Sequence, residues 1–368
     1  MSKAQETVLE IDLSALTHNF NYLKSKLQPQ TKFLAVVKAF AYGSDSVAIA
    51  KHLEKLDIDY FAVAYVKEGV ALRDAGIKTP ILVLHPQSIN FKTLIERCLE
   101  PSIYSAHVLD EFIKITETQA QKNYPIHIKF NTGLNRLGFE ENEIDTVVSK
   151  LKSTASIKVK SLFSHLAASE DAKELDFTNL QIEKFKTIAK KFEDVSGQKP
   201  WLHLCNTSGI INYPEAHFNM VRSGIGIYGF GNSVEEDKNL KPIASLKSVI
   251  SQIHTIEKGE TVGYNRAYTS IGTERTATVP IGHADGINRI YGNGNGFVVI
   301  NGEKAPIIGN VCMDMIMVNI TNINCVEGDE VIIFNSEYRA SNLSESAKTI
   351  SYEIITAVSQ RVKRIFLP

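Results

Sequence analysis

Through the first two thirds of the chain, short aliphatic or β-branched runs alternate with longer charged segments of helical period. The runs at 33–37, 60–64, 81–84, 101–104, 126–130, 159–164, 201–205 and 220–222 read as strands. Between them lie segments such as 46–56, 66–75 and 180–195, where leucines, valines or isoleucines recur at three- and four-residue steps. That spacing gives a helix one buried stripe. Parallel strands need crossover helices, so about eight such strand-then-helix units predict a TIM-like (β/α)8 barrel.

After Gly229 the pattern changes. Residues 232–241 are polar, carry Glu235, Glu236 and Asp237, and read as a linker ahead of Pro242. Residues 245–256 alternate apolar and polar positions with one slip, as a single half-buried strand would. Turn signals then come often: the Asn/Gly alternation of 292–296, Asn301-Gly302, and Glu327-Gly328-Asp329. The alternation over 7–13 suits a strand added to that β region, and a closing helix is expected near Thr349. The expected architecture is α/β plus β. Residues 1–10 form an N-terminal strand joining the C-terminal domain, 11–235 a barrel, and 236–368 a mostly-β domain.

Composition narrows the function classes. The 368 residues suffice for two domains and a large core. With 40 basic against 41 acidic side chains, the whole surface has no electrostatic claim on nucleic acid or an anionic membrane. Cys98, Cys205, Cys312 and Cys325 are scattered without a C-x-x-C, so neither a disulfide framework nor a metal site is expected. No run approaches the roughly 20 apolar residues that span a bilayer. The start Met1-Ser2-Lys3-Ala4-Gln5-Glu6 is unlike a secretory signal, so the expected location is cytoplasmic, with reduced thiols.

A barrel enzyme carries its chemistry at the carboxyl ends of its strands. Lys38 ends the first strand here, Lys129 the fifth with Arg136 shortly after, and His165 the sixth. His203 and Asn206 lie on or just past the seventh, and Arg222 ends the eighth. Any one of these is ordinarily a solvated loop residue. Five strands delivering basic or polar groups to one rim is harder to explain that way. Lys38 follows three apolar residues, and a desolvated lysine has a lowered pKa that suits it to Schiff-base formation.

Gly224-x-Gly226-x-x-Gly229 has the spacing of a dinucleotide fingerprint but not its context, which is the first βα turn. A glycine loop after the last barrel strands instead suits a phosphate, with the hydroxyls of Thr207 and Ser208 nearby. A lysine for a Schiff base, a phosphate cradle and an arginine beside it together suggest pyridoxal 5′-phosphate.

Along essentially its whole length the chain resembles the alanine racemases, fold-type III enzymes dependent on that cofactor. The resemblance rests on Ala35-Val36-Val37-Lys38-Ala39 with Ala41-Tyr42-Gly43, Thr132-Gly133 with Arg136-Leu137-Gly138-Phe139, and Val221-Arg222 before the glycine loop. It continues through Gly263-Tyr264, Ile281-Gly282 with Ala284-Asp285-Gly286, Cys312-Met313-Asp314 and Ser351-Tyr352-Glu353.

The resemblance implies that Lys38 holds the cofactor as a Schiff base and serves as one acid/base. It implies that Tyr264 of a partner subunit is the second, in a homodimer with shared sites. His165 and Arg222 match the network that favours the phenolate, and Arg222 the group bonded to the pyridine nitrogen. Tyr42, Thr207, Gly224, Ile225 and Tyr352 match phosphate contacts, while His203 and Asn206 line the cofactor side. Arg136 and the backbone of Met313 match the groups that receive the substrate carboxylate. Lys129 matches a lysine often carbamylated, whose new negative charge orients Arg136. The implied reaction interconverts L- and D-alanine, supplying D-alanine for peptidoglycan.

Some positions depart from the family pattern: Phe40, Ser44, Asn131, Asn135, Ser223, His283 and Asn310. They bear on the site entrance and substrate range, not on the reaction class. Three other readings use the same features: a serine or broad-specificity racemase, a decarboxylase of basic amino acids, and a non-enzymatic cofactor-binding barrel. A decarboxylase would place an acidic residue where Arg222 stands, and the non-enzymatic class lacks a C-terminal β domain.

Overall fold

The structure, a computed structural model, describes residues 4–368, so Met1, Ser2 and Lys3 of the expected N-terminal segment lie outside the described residues. The chain forms two compact units. One comprises Thr17–Ala41 and Ser46–Leu240; the other comprises the residues up to Leu16, Tyr42–Asp45 and Lys241–Pro368.

In the first unit eight parallel strands close into a barrel: Lys32–Val36, Tyr60–Val63, Ile81–Val83, Glu100–Ile103, Tyr124–Lys129, Ile157–Phe163, Trp201–His203 and Met220–Ser223. Closure comes from the last strand pairing the first, Lys32 with Met220 through Ala35 with Ser223. Helices on the outside bury one stripe each. In Ala106–Thr118 the buried positions are Val108, Leu109, Phe112 and Thr116, and the Ser105 side chain caps the helix by accepting from the Val108 N–H. Leu175–Ser196 likewise buries Ile182, Phe185, Ile188 and Phe192 and ends on the left-handed Gly197.

In the second unit a nine-stranded sheet runs Gln252–Ile256, Glu274–Val279, Ile316–Asn319, Glu303–Ile308, Phe297–Ile300, Glu330–Phe334, Ala244–Val249, Val8–Asp12 and Lys363–Leu367. Val8–Asp12 pairs antiparallel with Ala244–Val249 and parallel with Lys363–Leu367. The buried Lys247 ammonium ties it down, 2.9 Å from Glu10 and 3.5 Å from Glu330. Asn301-Gly302, both at positive φ, turns the hairpin between Phe297–Ile300 and Glu303–Ile308.

One sequence expectation is corrected. The alternating stretch 245–256 is two strands: Ala244–Val249 pairs Val8–Asp12 and Glu330–Phe334, whereas Gln252–Ile256 pairs Glu274–Val279. The chain changes partner at the slip in the alternation, where the Ile250 N–H donates to Asp329 and the Ser251 N–H to Thr278. The polar stretch 232–241 carries the boundary between the two units, which falls after Leu240. It carries a helical turn, Val234–Asp237, capped by Ser233, and Glu236 is buried. The Glu236 carboxylate accepts from the Ser208 hydroxyl, the Asn212 amide and the Asn232 N–H, and these bonds make its burial tolerable. The closing region holds the expected helix, Ser351–Ala357, but also Ala340–Ser346 and the strand Lys363–Leu367.

Candidate active site

Lys38 leaves the first barrel strand into a left-handed turn. Ala39, Phe40, Ala41 and Tyr42 all have φ of 52–55°. L-residues ordinarily avoid this conformation at about 1–2 kcal/mol each, so the turn needs outside support. The Glu68 carboxylate accepts from the Ala39 N–H at 2.6 Å with one oxygen, and from the Ala64 and Tyr65 N–H groups with the other. The sequence does not signal this turn, because the clamp comes from the helix after the next strand and meets Ala39 only in the fold. The Lys38 side chain is half-buried. Burial first and the Arg136 charge next hold its ammonium below the ordinary lysine range, with Glu68 opposing.

Lys129 ends the fifth strand and is 8% exposed. Its ammonium lies 5.9 Å from the Phe163 ring centre. Burial, then the charges of Arg136, Arg222 and Lys38, bring its pKa down to about 8. Arg136 stands exposed on the loop that follows. The loop is stapled at its base, where the Phe139 N–H donates to Lys129 and the Asn131 N–H to Phe139. Gly138, at φ +132°, is required there, since a Cβ would lie 2.6 Å from the Phe130 carbonyl carbon. The Asn131 side-chain oxygen accepts from the Gly133 and Asn135 N–H groups, so the two asparagines that depart from the family pattern brace the Arg136 loop.

Arg222 is the hub. Its guanidinium is buried and donates to the Ser164 carbonyl at 2.6 Å, the Leu204 carbonyl at 3.1 Å, His203 Nδ1 at 2.7 Å and His165 Nδ1 at 3.2 Å. Burial brings its pKa down to about 10, which leaves it cationic near neutrality. The same burial, with the Arg222 charge next, holds His165 and His203 well below the usual imidazole range. Both rings are therefore neutral, with Nδ1 accepting from Arg222 and the proton on Nε2.

Beyond Arg222 the glycine loop enters a short 3-10 turn, Ile225–Tyr228. Gly226 allows no side chain: a Cβ would sit 2.5 Å from Thr207 Cγ2 and 3.0 Å from Ser223 Oγ. The Gly226 N–H donates to the Thr207 hydroxyl, which also bonds Ser223. Asn206 caps the Thr207–Asn212 helix through the Gly209 N–H. The expected barrel residues thus gather as one cationic group, Lys38, Lys129, Arg136 and Arg222, beside one tight glycine turn.

In the β unit, the Tyr42 and Tyr352 rings lie 5.9 Å apart, and burial pushes the Tyr42 phenol up. Tyr264 stands 73% exposed on a turn that begins at Gly263. The Asn310 amide donates to the Tyr264 carbonyl, giving that departure a structural role. Met313 is 59% exposed. Its carbonyl accepts from the Ala284 N–H, and His283 donates its N–H to Cys312. Arg361 ties the two loops together by pairing with both Asp285 and Asp314.

Sequence reasoning missed Glu68, Ser164 and a polar row inside the barrel that includes His127 and Ser161. A weak signal existed for the last two: each sits at an alternate position of a strand, in step with Lys129 and Phe163 respectively. Among the described residues no group of three His, Cys, Asp or Glu side chains is placed to hold a metal.

Two family models match. Residues 11–231 match "Alanine racemase, N-terminal domain" and 243–366 match "Alanine racemase, C-terminal domain". The alanine racemase of Methanococcus maripaludis is 34% identical over 97% of this chain and 98% of its own. The alanine racemase from Bacillus anthracis, solved with bound L-Ala-P, has a TM-score of 0.92 and 30% identity, covering 100% of this chain and 96% of that one. That from Bartonella henselae, solved with covalently bound pyridoxal phosphate, has a TM-score of 0.89 and 28% identity, covering 99% and 100%. The chain belongs to the alanine racemase family.

Proposed function

We propose that this chain is an isomerase that interconverts L-alanine and D-alanine with pyridoxal 5′-phosphate as cofactor. The full-length family match and the ligands named for the Bacillus anthracis and Bartonella henselae relatives support the substrate and the cofactor. The single observation that carries the chemistry is the bonded pair Arg222 and His165 on the same barrel rim as Lys38. Together they supply a donor-only group, a neutral imidazole and a lysine that loses its proton easily.

The residues present fit the cofactor. Gly226 leaves no room for a side chain and its N–H is bonded to Thr207, so the turn is held tight, and the Gly224 and Ile225 backbone beside it would hold the phosphate. When bound, pyridoxal phosphate supplies an electron sink that makes the α-proton of the amino acid acidic. Lys38, with its lowered pKa, offers the uncharged amine needed to bond a carbonyl and later to take a proton. Arg222 only donates, so a ring nitrogen facing it stays an unprotonated acceptor.

Inverting a stereocentre requires a second acid/base on the opposite face. Tyr264, contributed by a second copy of the chain, takes that role; its exposure in the single chain leaves it accessible to one. His165, held neutral, keeps an Nε2–H to donate to the phenolate. Tyr42, Thr207, Gly224, Ile225 and Tyr352 hold the phosphate, and His203 and Asn206 line the cofactor. Arg136 and the Met313 backbone receive the substrate carboxylate, with Lys129, carbamylated, orienting Arg136.

In domain terms, 11–235 binds the cofactor, 236–368 supplies the opposite base, and 1–10 belongs with the latter. A homodimer follows from that sharing. A cytoplasmic place in D-alanine supply for peptidoglycan accords with four free cysteines, and no helix among the described residues is long and apolar enough to cross a membrane.

Purified protein with pyridoxal phosphate, incubated with single L-amino acids and resolved by chiral chromatography, should give D-alanine fastest. A decarboxylated amine, or no turnover of alanine, would overturn the reading. Mixing inactive Lys38→Ala and Tyr264→Phe proteins under subunit exchange should restore activity if sites are shared. A fully active monomer would contradict the sharing.

A further inference from the structure

A continuous row of hydrogen bonds crosses the barrel interior from Arg222 to the amino-terminal end of the strands. His203 Nδ1 contacts Arg222 at 2.7 Å, and His203 Nε2 contacts the Ser161 hydroxyl at 2.8 Å. That hydroxyl lies 2.6 Å from His127 Nδ1, and His127 Nε2 lies 2.7 Å from the Glu100 carboxylate. Ser161, His127 and His203 are fully buried. Glu100 is the first residue of the fourth barrel strand, and the buried Tyr60 phenol also donates to it. His203 stacks on Phe163 with ring centres 4.8 Å apart, so it cannot turn to other partners without losing that contact.

The two ends of this row differ in kind. Arg222 can only donate, and a carboxylate can only accept. Each of the three members between them can do both, so the ends decide the direction. Arg222 makes His203 Nδ1 an acceptor, which puts the proton on Nε2, pointing at Ser161. The Ser161 proton then points at His127 Nδ1, and the His127 proton at Glu100. The reversed order would set an N–H of His203 against an N–H of Arg222 at 2.7 Å.

We infer that Glu100 is a positioning residue for Arg222: as the acceptor-only end of the row, it locks His127, Ser161 and His203 in the one direction that leaves His203 Nδ1 free to receive the guanidinium. The row also supplies a buried guanidinium, whose direct partners are two carbonyls and two neutral rings, with a carboxylate at the far end of a polarised chain. The catalytic consequence rests on the proposed function above; the hydrogen-bond direction does not.

Nitrogen-15 NMR of the histidine rings in the pyridoxal phosphate-loaded protein reads the direction, and steady-state kinetics reads the consequence. In the unsubstituted protein, His127 and His203 should each show a protonated Nε2 and a bare Nδ1. A protonated Nδ1 on His203 overturns the inference without any variant. In Glu100→Gln, whose amide can donate as well as accept, His127 should gain an Nδ1–H population. The kcat for alanine should fall about tenfold with KM changed less than twofold, as for the loss of an outer partner that orients an inner group. Ser161→Ala cuts the row elsewhere and should cost a similar factor, while the double variant costs little more than either alone. Unaltered ring-nitrogen patterns in Glu100→Gln, or fully additive losses, would refute the relay. Expected ring patterns in a protein that does not racemise alanine would sink the functional reading and leave the row standing.

Discussion

Lys129 offers the sharpest chemical prediction. With its pKa brought down to about 8, about a quarter of its amine is neutral at pH 7.5, against roughly one in a thousand for an ordinary lysine. The form that attacks carbon dioxide is thus enriched roughly two-hundredfold. The product is an anion, and its surroundings favour one: Arg136, Arg222 and Lys38 are the charges that depress the ammonium. A carbamate about 4 Å from one guanidinium gains about 4 kcal/mol at an effective dielectric of about 20. Protein exchanged into carbon-13 bicarbonate should show one carbamate carbonyl line in NMR, and Lys129→Gln should abolish it. That variant should also raise the KM for alanine about tenfold or more, the loss expected of one charge-assisted bond to Arg136. Absence of the line, or its persistence in Lys129→Gln, would refute the reasoning.

Three further outcomes follow from the same geometry. Gly226→Ala forces a Cβ to within 2.5 Å of Thr207, so unfolding of the cofactor-free protein should ease by about 1–3 kcal/mol, and pyridoxal phosphate should bind more weakly; unchanged values would remove the turn from the cradle. Arg222→Lys keeps the charge but cannot span two carbonyls and two rings with a forked geometry; a loss of about 2–3 kcal/mol in chemical denaturation is expected, and equal stability would mean the fork is dispensable. His165 and His203 titrate well below the usual range in the folded state, so below about pH 6.5 the unfolded chain binds protons that the native one refuses. Stability is then held above that pH and lost as the pH falls, by about 1.4 kcal/mol per unit for each ring; a flat denaturation midpoint from pH 7 to 5.5 would contradict the assignment of two neutral histidines.

The barrel was legible because its strands are buried on both faces and its helices on one, which leaves two distinct periods in the sequence. The rim chemistry was legible for the same reason. Once the strand ends are placed, Lys38, Lys129, His165 and Arg222 fall on one rim without further information. The left-handed turn after Lys38 was not legible, since its clamp, Glu68, belongs to the helix after the second strand and meets Ala39 only in the fold. His127, between Ile126 and Ile128, and Ser161, beside Leu162, hid inside barrel strands, where a lone polar residue reads as an exception. Tyr264 and Met313 carry no local signal at all, because an exposed side chain on a β-domain loop looks alike whether it serves solvent or a second subunit. Only the family resemblance singled them out. The break at Ile250 was present as a slip in the alternation, but a pattern of period two does not reveal which neighbour a strand pairs with.

The central claim is that the α-proton of alanine is exchanged between two bases on opposite faces, and one measurement addresses it directly. L-Alanine is incubated with the pyridoxal phosphate-loaded protein in deuterium oxide, and both enantiomers are analysed by chiral separation and mass spectrometry. The unsubstituted protein should form D-alanine carrying deuterium at Cα. Tyr264→Phe should form almost none and, with L- and D-alanine supplied separately, should exchange deuterium into only the enantiomer whose Cα–H faces Lys38. Full conversion to D-alanine by Tyr264→Phe, or no D-alanine from the unsubstituted protein, would contradict the account.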